Sequence, residues 1–264
     1  MPSVSVNGIE LYYERSGHGP PVLLLNGSGS TLADVAPLMQ VLAGHLDVVA
    51  HDQRGLGRSA IPRGAYTMAD YAADALGLLD VVGWQACRVV GVSFGGMVAQ
   101  ELAVTAPERV ERLALLCTSP GGAGGSSFPL HELRGLPPRR RDSESGRLLD
   151  SRFSEEWLAT HPADRVLADT MAKRHSRAVS DEVHRGEAQQ LEARRHHDVW
   201  DRLGCVACPT YVAAGRFDGI APLSNSEAIV SAIAGATLHV YEGGHAFLAQ
   251  DRRALPDVID FLGS

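Results

Sequence analysis

The sequence predicts an α/β fold with a mostly parallel central sheet, flanked by helices and interrupted by a helical insertion. Three observations point there. Short apolar runs alternate with helix-like stretches up to residue 118, the alternation stops between 119 and 200, and it resumes from Pro209. At 264 residues the chain is long enough to build one large core without disulfide staples.

The elements follow in order. Val4-Ser5-Val6 and Tyr12-Tyr13-Glu14 flank Asn7-Gly8, a hairpin turn signal. Pro21–Leu25 is continuously apolar, as a strand buried on both faces should be, and Asn26–Thr31 leads from it into a helix near Leu32. Val48-Val49-Ala50 repeats the strand pattern and runs into Asp52-Gln53-Arg54-Gly55-Leu56-Gly57-Arg58-Ser59. Thr67 caps a helix over 68–82, with Asp70 in the capping-box position. Strand 88–92, helix 93–105 and strand 112–117 complete the first half. Beyond the insertion come strand 210–214, a helix around 223–233, strand 237–241 and a terminal helix over 253–262.

Domain limits follow from composition. Residues 1–118 and 201–264 form the core, and 119–200 form the insertion, where charge density rises and six of the eleven histidines fall. Pro120–Ser127 reads as a flexible linker. Helices are expected over 155–159, 164–175 and 181–195, while Arg139-Arg140-Arg141 reads as a solvated charge run.

Composition also excludes function classes. A net charge of −7 argues against a nucleic-acid surface, and no apolar run approaches the ~20 residues of a membrane span. No basic and then apolar N-terminal segment marks a secretory signal, so a cytoplasmic location is expected. Four scattered cysteines do not make a disulfide framework. Cys205 and Cys208 lack the second pair that a zinc site wants, and His196-His197-Asp198 has no matching third ligand. No metal or other cofactor is expected.

Chemistry concentrates at three places. Gly91-Val92-Ser93-Phe94-Gly95 is GxSxG between an apolar strand and a helix, the context in which a serine is held in a strained turn. A serine needs a base oriented by an acid. His245 follows strand 237–241 behind Gly243-Gly244, and Asp218 follows strand 210–214, so both belong to the same end of the sheet. Ser93, Asp218 and His245 are therefore the candidate catalytic residues. Asp52 and Arg54 read as ties that hold their loop to its neighbours.

These motifs carry a resemblance. Asn26-Gly27-Ser28-Gly29, the Asp52–Ser59 segment, Gly91–Gly96, Asp218 with Ile220-Ala221-Pro222, and Gly243-Gly244-His245 resemble the α/β-hydrolase fold superfamily from near residue 3 to residue 262. Within it, the chain looks most like the small esterase, enol-lactonase and cofactor-free haloperoxidase group. The resemblance implies an oxyanion hole from the backbone N–H groups of Ser28 and Phe94, and a lid made of 119–200. Asn26 stands where the family often has histidine, so Asn26 and Gly27 are candidates for loop anchoring or substrate contact. His131, Trp157, Met171 and His175 are candidates to line the pocket from the lid, with their facing left open. The expected activity is hydrolysis of a small carboxylic ester or lactone through an acyl-enzyme. Perhydrolysis, C–C bond hydrolysis or acyl transfer on the same triad are alternatives, as is a ligand receptor without turnover. The expected partner is that small molecule, with no nucleic acid or membrane, in a monomer or homo-oligomer.

Overall fold

Asn7 and Gly8 both take positive φ, so β1 (Ser3–Val6) turns back tightly on β2 (Ile9–Ser16). This opens the structure, a computed structural model that describes residues 3–175 and 179–264; the side chains of Arg134, Pro138, Arg139, Arg174 and His175 lie outside that description. The strands β3 (Pro21–Leu25), β4 (Asp47–His51), β5 (Cys87–Val92), β6 (Val110–Leu116), β7 (Thr210–Gly215) and β8 (Thr237–Tyr241) complete one eight-stranded sheet. Its order is β1-β2-β4-β3-β5-β6-β7-β8. Pairing is antiparallel for β1 with β2 and β2 with β4, and parallel everywhere else.

The apolar run of β3 is buried on both faces, as its composition predicts. Leu23 and Leu25 face a cluster that includes Tyr71 and Phe94, while Val22 and Leu24 face a second that includes Met39 and Val258. The first cluster is covered by α2 (Met68–Val81), α3 (Phe94–Thr105) and α8 (Leu223–Ala232). The second lies under α1 (Leu32–Ala43) and α10 (Ala254–Gly263). Thr67 and Asp70 form the reciprocal capping box at the start of α2. Among the described residues, no helix is long and apolar enough to cross a membrane.

Residues 119–200 hold α4 (Pro138–Leu149), α5 (Glu155–Thr160), α6 (Pro162–His175) and α7 (Asp181–Arg195). Two expectations need correction here. The Gly-rich 120–127 stretch is a fitted turn rather than a linker: a Cβ on Gly121 would lie 2.0 Å from the His197 carbonyl oxygen. Its glycines permit close backbone approach, a use that composition cannot distinguish from flexibility. The arginine run opens α4, and Arg141 turns inward, with its Nε shielded from solvent. A short helix α9 (Phe247–Gln250) was also not expected.

Two buried histidines make acid stability a prediction. Burial pushes the imidazoles of His51 and His197 down to about 4. An unfolded chain protonates them near the ordinary value of about 6.5, so between those limits the unfolded state binds more protons. Stability should therefore fall as pH drops from 6.5 toward 4, by on the order of 2 kcal/mol per histidine at pH 4.5. Urea melts at pH 7 and 4.5 check this, and His51→Gln should show the shallower pH slope. Equal slopes for variant and wild type would contradict it.

Candidate active site

Ser93 sits between β5 and α3 with φ 55° and ψ −115°, a backbone conformation that costs a residue with a Cβ roughly 1–2 kcal/mol. Its surroundings hold it there. The Ser93 N–H donates to the Leu116 carbonyl at 2.8 Å, and Thr118 Oγ1 donates to the Ser93 carbonyl at 2.8 Å. The flanking glycines are required by clearance: a Cβ on Gly95 would lie 2.1 Å from the Leu25 carbonyl oxygen, and one on Gly91 2.4 Å from that of Gly95. Gly95→Ala is thus expected to cost about 3 kcal/mol, since the obstructing atoms are backbone in the central strand and its loop. Thermal denaturation checks this; a midpoint equal to wild type would show that the elbow has slack.

Asp218 and His245 leave the sheet at the ends of β7 and β8 and meet over Ser93. His245 Nε2 lies 2.9 Å from Ser93 Oγ, and His245 Nδ1 lies 2.7 Å from Asp218 Oδ2. The Asp218 carboxylate has no solvent exposure, and its Oδ1 accepts the N–H groups of Ile220 (2.8 Å) and Ala221 (2.9 Å). The insertion braces both loops. The His245 N–H donates to the Leu149 carbonyl at 2.6 Å, Gly219 N–H to Leu148 at 3.0 Å, and Ser151 N–H to Phe217 at 2.9 Å. A Cβ on Gly244 would lie 2.0 Å from that same Leu149 oxygen, so glycine is what lets the strap close. Arg152 reinforces it, with its guanidinium 4.1 Å from the Phe217 ring centre and paired to the buried Asp150 at 2.6 Å.

Among the described residues, one group of three has ligand atoms close enough for a metal: Cys117, Asp218 and His245, within 4.8 Å of one another. Burial and the neighbouring Asp218 charge push the Cys117 thiol well above its ordinary range. A protonated thiol is a poor metal ligand, and the imidazole is already hydrogen-bonded on both sides. Cys117 instead packs as a small apolar side chain in the second core cluster, close to the pair.

A cavity of about 1690 Å³ opens above Ser93 and His245. One wall is the loop after β3. Asn26 is buried and anchors that loop, its Nδ2 donating to the Ser30 and His51 carbonyls at 3.4 Å each while its own carbonyl accepts Gln53 Nε2 at 2.7 Å. Gly27 adjoins Ser93, with an idealised Cβ 3.6 Å from the serine Cβ, and Ser28 also lines the cavity. Phe94 begins α3 with its ring buried edge-on against Tyr71. Asp52 accepts the Leu32 and Arg58 N–H groups, and Arg54 makes a bidentate pair with Asp74 at 2.6 Å, so both act as loop ties.

The insertion supplies the opposite wall. Met171 lines the cavity. His131 is exposed and lines a separate hollow. Trp157 does not line the cavity; it stacks on His161, donates its indole N–H to Asp164 at 2.8 Å and covers Arg152. The side chain of His175 lies outside the described residues, as do those of Arg174 and Arg177. Two lining residues escape sequence reading. Arg141 is one, and Gln190 is the other: fully buried on α7, it accepts the Gly29 N–H at 2.7 Å and so ties the insertion to the β3 loop. Nothing in the helical spacing separates Gln190 from its polar neighbours.

A serine at a strained strand–helix turn, hydrogen-bonded to a histidine that in turn bonds a buried aspartate, the two carried at the ends of β8 and β7, is the arrangement of an α/β-sheet hydrolase site. The chain belongs to the alpha/beta hydrolase fold family, whose sequence profile matches residues 20–251. It is 34% identical to the 2-hydroxymuconate semialdehyde hydrolase of Pseudomonas sp. (strain CF600), covering 90% of this chain and 84% of that protein. It is 33% identical to RutD of Variovorax paradoxus (strain S110), for which carbamate hydrolysis is the proposed activity, covering 96% of each. The enol-lactonase of Burkholderia xenovorans LB400 superposes over the whole of both chains with a TM-score of 0.81 at 25% identity. The protein is a hydrolase of this fold.

Proposed function

We propose that the enzyme cleaves a small carboxylic ester or lactone through a covalent acyl-enzyme on Ser93. The continuous hydrogen-bonded chain from Ser93 Oγ to Asp218, at the base of a cavity, carries this assignment. As Oγ attacks the substrate carbonyl, His245 Nε2 takes its proton. Asp218 holds Nδ1–H and stabilises the imidazolium that forms. The N–H groups of Ser28 and Phe94 donate to the oxyanion, each worth roughly 3–4 kcal/mol of barrier. His245 then returns the proton to the leaving oxygen and activates water to release the acid. The 119–200 segment acts as the lid, and its brace on the His245 and Asp218 loops makes it part of the site's scaffold.

Hydrolysis of a chain-length series of p-nitrophenyl esters beside a set of lactones tests this. Turnover that depends on acyl length is expected; inertness toward every ester and lactone would contradict it. C–C bond hydrolysis is the second reading, supported by the 34% identity to the semialdehyde hydrolase. A ring-cleavage dienoate consumed faster than any ester would favour it.

A further inference from the structure

Beside the Ser93 cavity lies a second hollow of about 350 Å³, and Leu191 lines both. Ser119, Ser127, His131 and Arg194 are among its walls. Arg194 is only 7% exposed. Its Nη1 donates to the Phe128 carbonyl at 2.8 Å, whereas Nε and Nη2 are buried without a partner among the described residues. Guanidinium groups stay protonated, and the nearest opposite charge acting on this one, the Asp218 carboxylate, makes no hydrogen bond to it, so Nε and Nη2 are left for an anionic acceptor. The other charged side chains on the hollow, Arg195 and Glu132, are exposed at its rim and offset each other. Asn225 Nδ2 donates to Ser119 Oγ at 2.7 Å, and the Ser119 and Ser127 hydroxyls are 2.6 Å apart. With Ser119 donating onward to Ser127, the Ser127 O–H becomes the free donor of that chain.

We propose that this hollow seats a carboxylate carried by the substrate, bound by Arg194 and the Ser127 hydroxyl while the ester or lactone carbonyl lies at Ser93. The inference rests on the serine-hydrolase reading and adds the substrate class, an ester or lactone of an acid with a second carboxylate. A planar guanidinium with two adjacent free N–H directions matches a carboxylate in a way that a lysine would not.

The test compares mono-p-nitrophenyl esters of glutaric and adipic acid with pentanoyl and hexanoyl esters. Wild type should prefer the acid-bearing esters in kcat/KM, and Arg194→Gln should lower that acid-to-neutral ratio at least about tenfold. Arg194→Lys should restore the ratio only in part. A wild-type ratio of one or below overturns the inference without any variant, and so does a preference that survives in Arg194→Gln. If wild type turns over no ester at all, the ester-and-lactone reading fails instead. Calorimetric titration with glutarate then tests the hollow alone: binding lost in Arg194→Gln supports it, and binding absent in wild type overturns it.

Discussion

Ser93→Ala is expected to lose about five to six orders of magnitude in ester turnover while the fold stays intact. The loss is large because, on the proposed mechanism, the substitution removes the covalent route altogether. What remains is a water positioned by His245 and the oxyanion donors, still above the uncatalysed rate. The fold survives for a reason specific to this position. Serine and alanine both carry a Cβ, so the strain of φ 55° is the same in each, and the Leu116 and Thr118 bonds that hold the turn use backbone atoms of Ser93. Ser93→Gly isolates the strain. It should be equally inactive yet more stable, by about 1 kcal/mol, because glycine adopts this region freely. Steady-state kinetics paired with thermal melts on the three proteins check both halves. A glycine variant no more stable than alanine would mean that the elbow stores no strain.

Asp218→Asn is expected to cost about four orders of magnitude in kcat/KM. Asp218 Oδ1 is committed to the N–H groups of Ile220 and Ala221, so an asparagine there keeps its oxygen on that side. Its NH₂ then faces His245 Nδ1 across the 2.7 Å gap, and two donors cannot share it. The imidazole must present Nδ1 as acceptor, which places the ring proton on Nε2, the atom that has to accept the Ser93 proton. Volume is unchanged, so the melting midpoint should move far less than the rate. Kinetics and denaturation of one preparation separate the two effects; a variant within tenfold of wild type would show that Asp218 does not set the tautomer.

The sheet and the three loops that bring Ser93, Asp218 and His245 together were legible because their signals are local. Apolar runs mark β3, β5 and β7, the Thr67–Asp70 pair marks a helix start, and the glycines beside Ser93 and His245 mark turns. The insertion was legible only as helices. That Leu148–Ser151 braces the loops of both Asp218 and His245 depends on backbone carbonyls, which carry no side-chain signature. Arg141, Gln190 and Arg194 look like ordinary polar positions on charged helices; only tertiary packing turns them inward. The Gly-rich 120–127 segment misled in the opposite direction, because the same residues serve flexibility in one context and close approach in another.

The insertion holds the candidate site from two sides. Through Leu149 it fixes where the His245 backbone sits, and through Gln190 it holds the Gly29 end of the loop that carries Ser28. On the proposed mechanism, loss of either contact would loosen the base or an oxyanion donor.

The most direct measurement is mass spectrometry of the intact protein after exposure to a fluorophosphonate, followed by peptide mapping. An activated serine at this site predicts a single adduct on Ser93 that disappears in Ser93→Ala. An unmodified wild-type protein, or an adduct that persists in Ser93→Ala, would contradict Ser93 as the nucleophile.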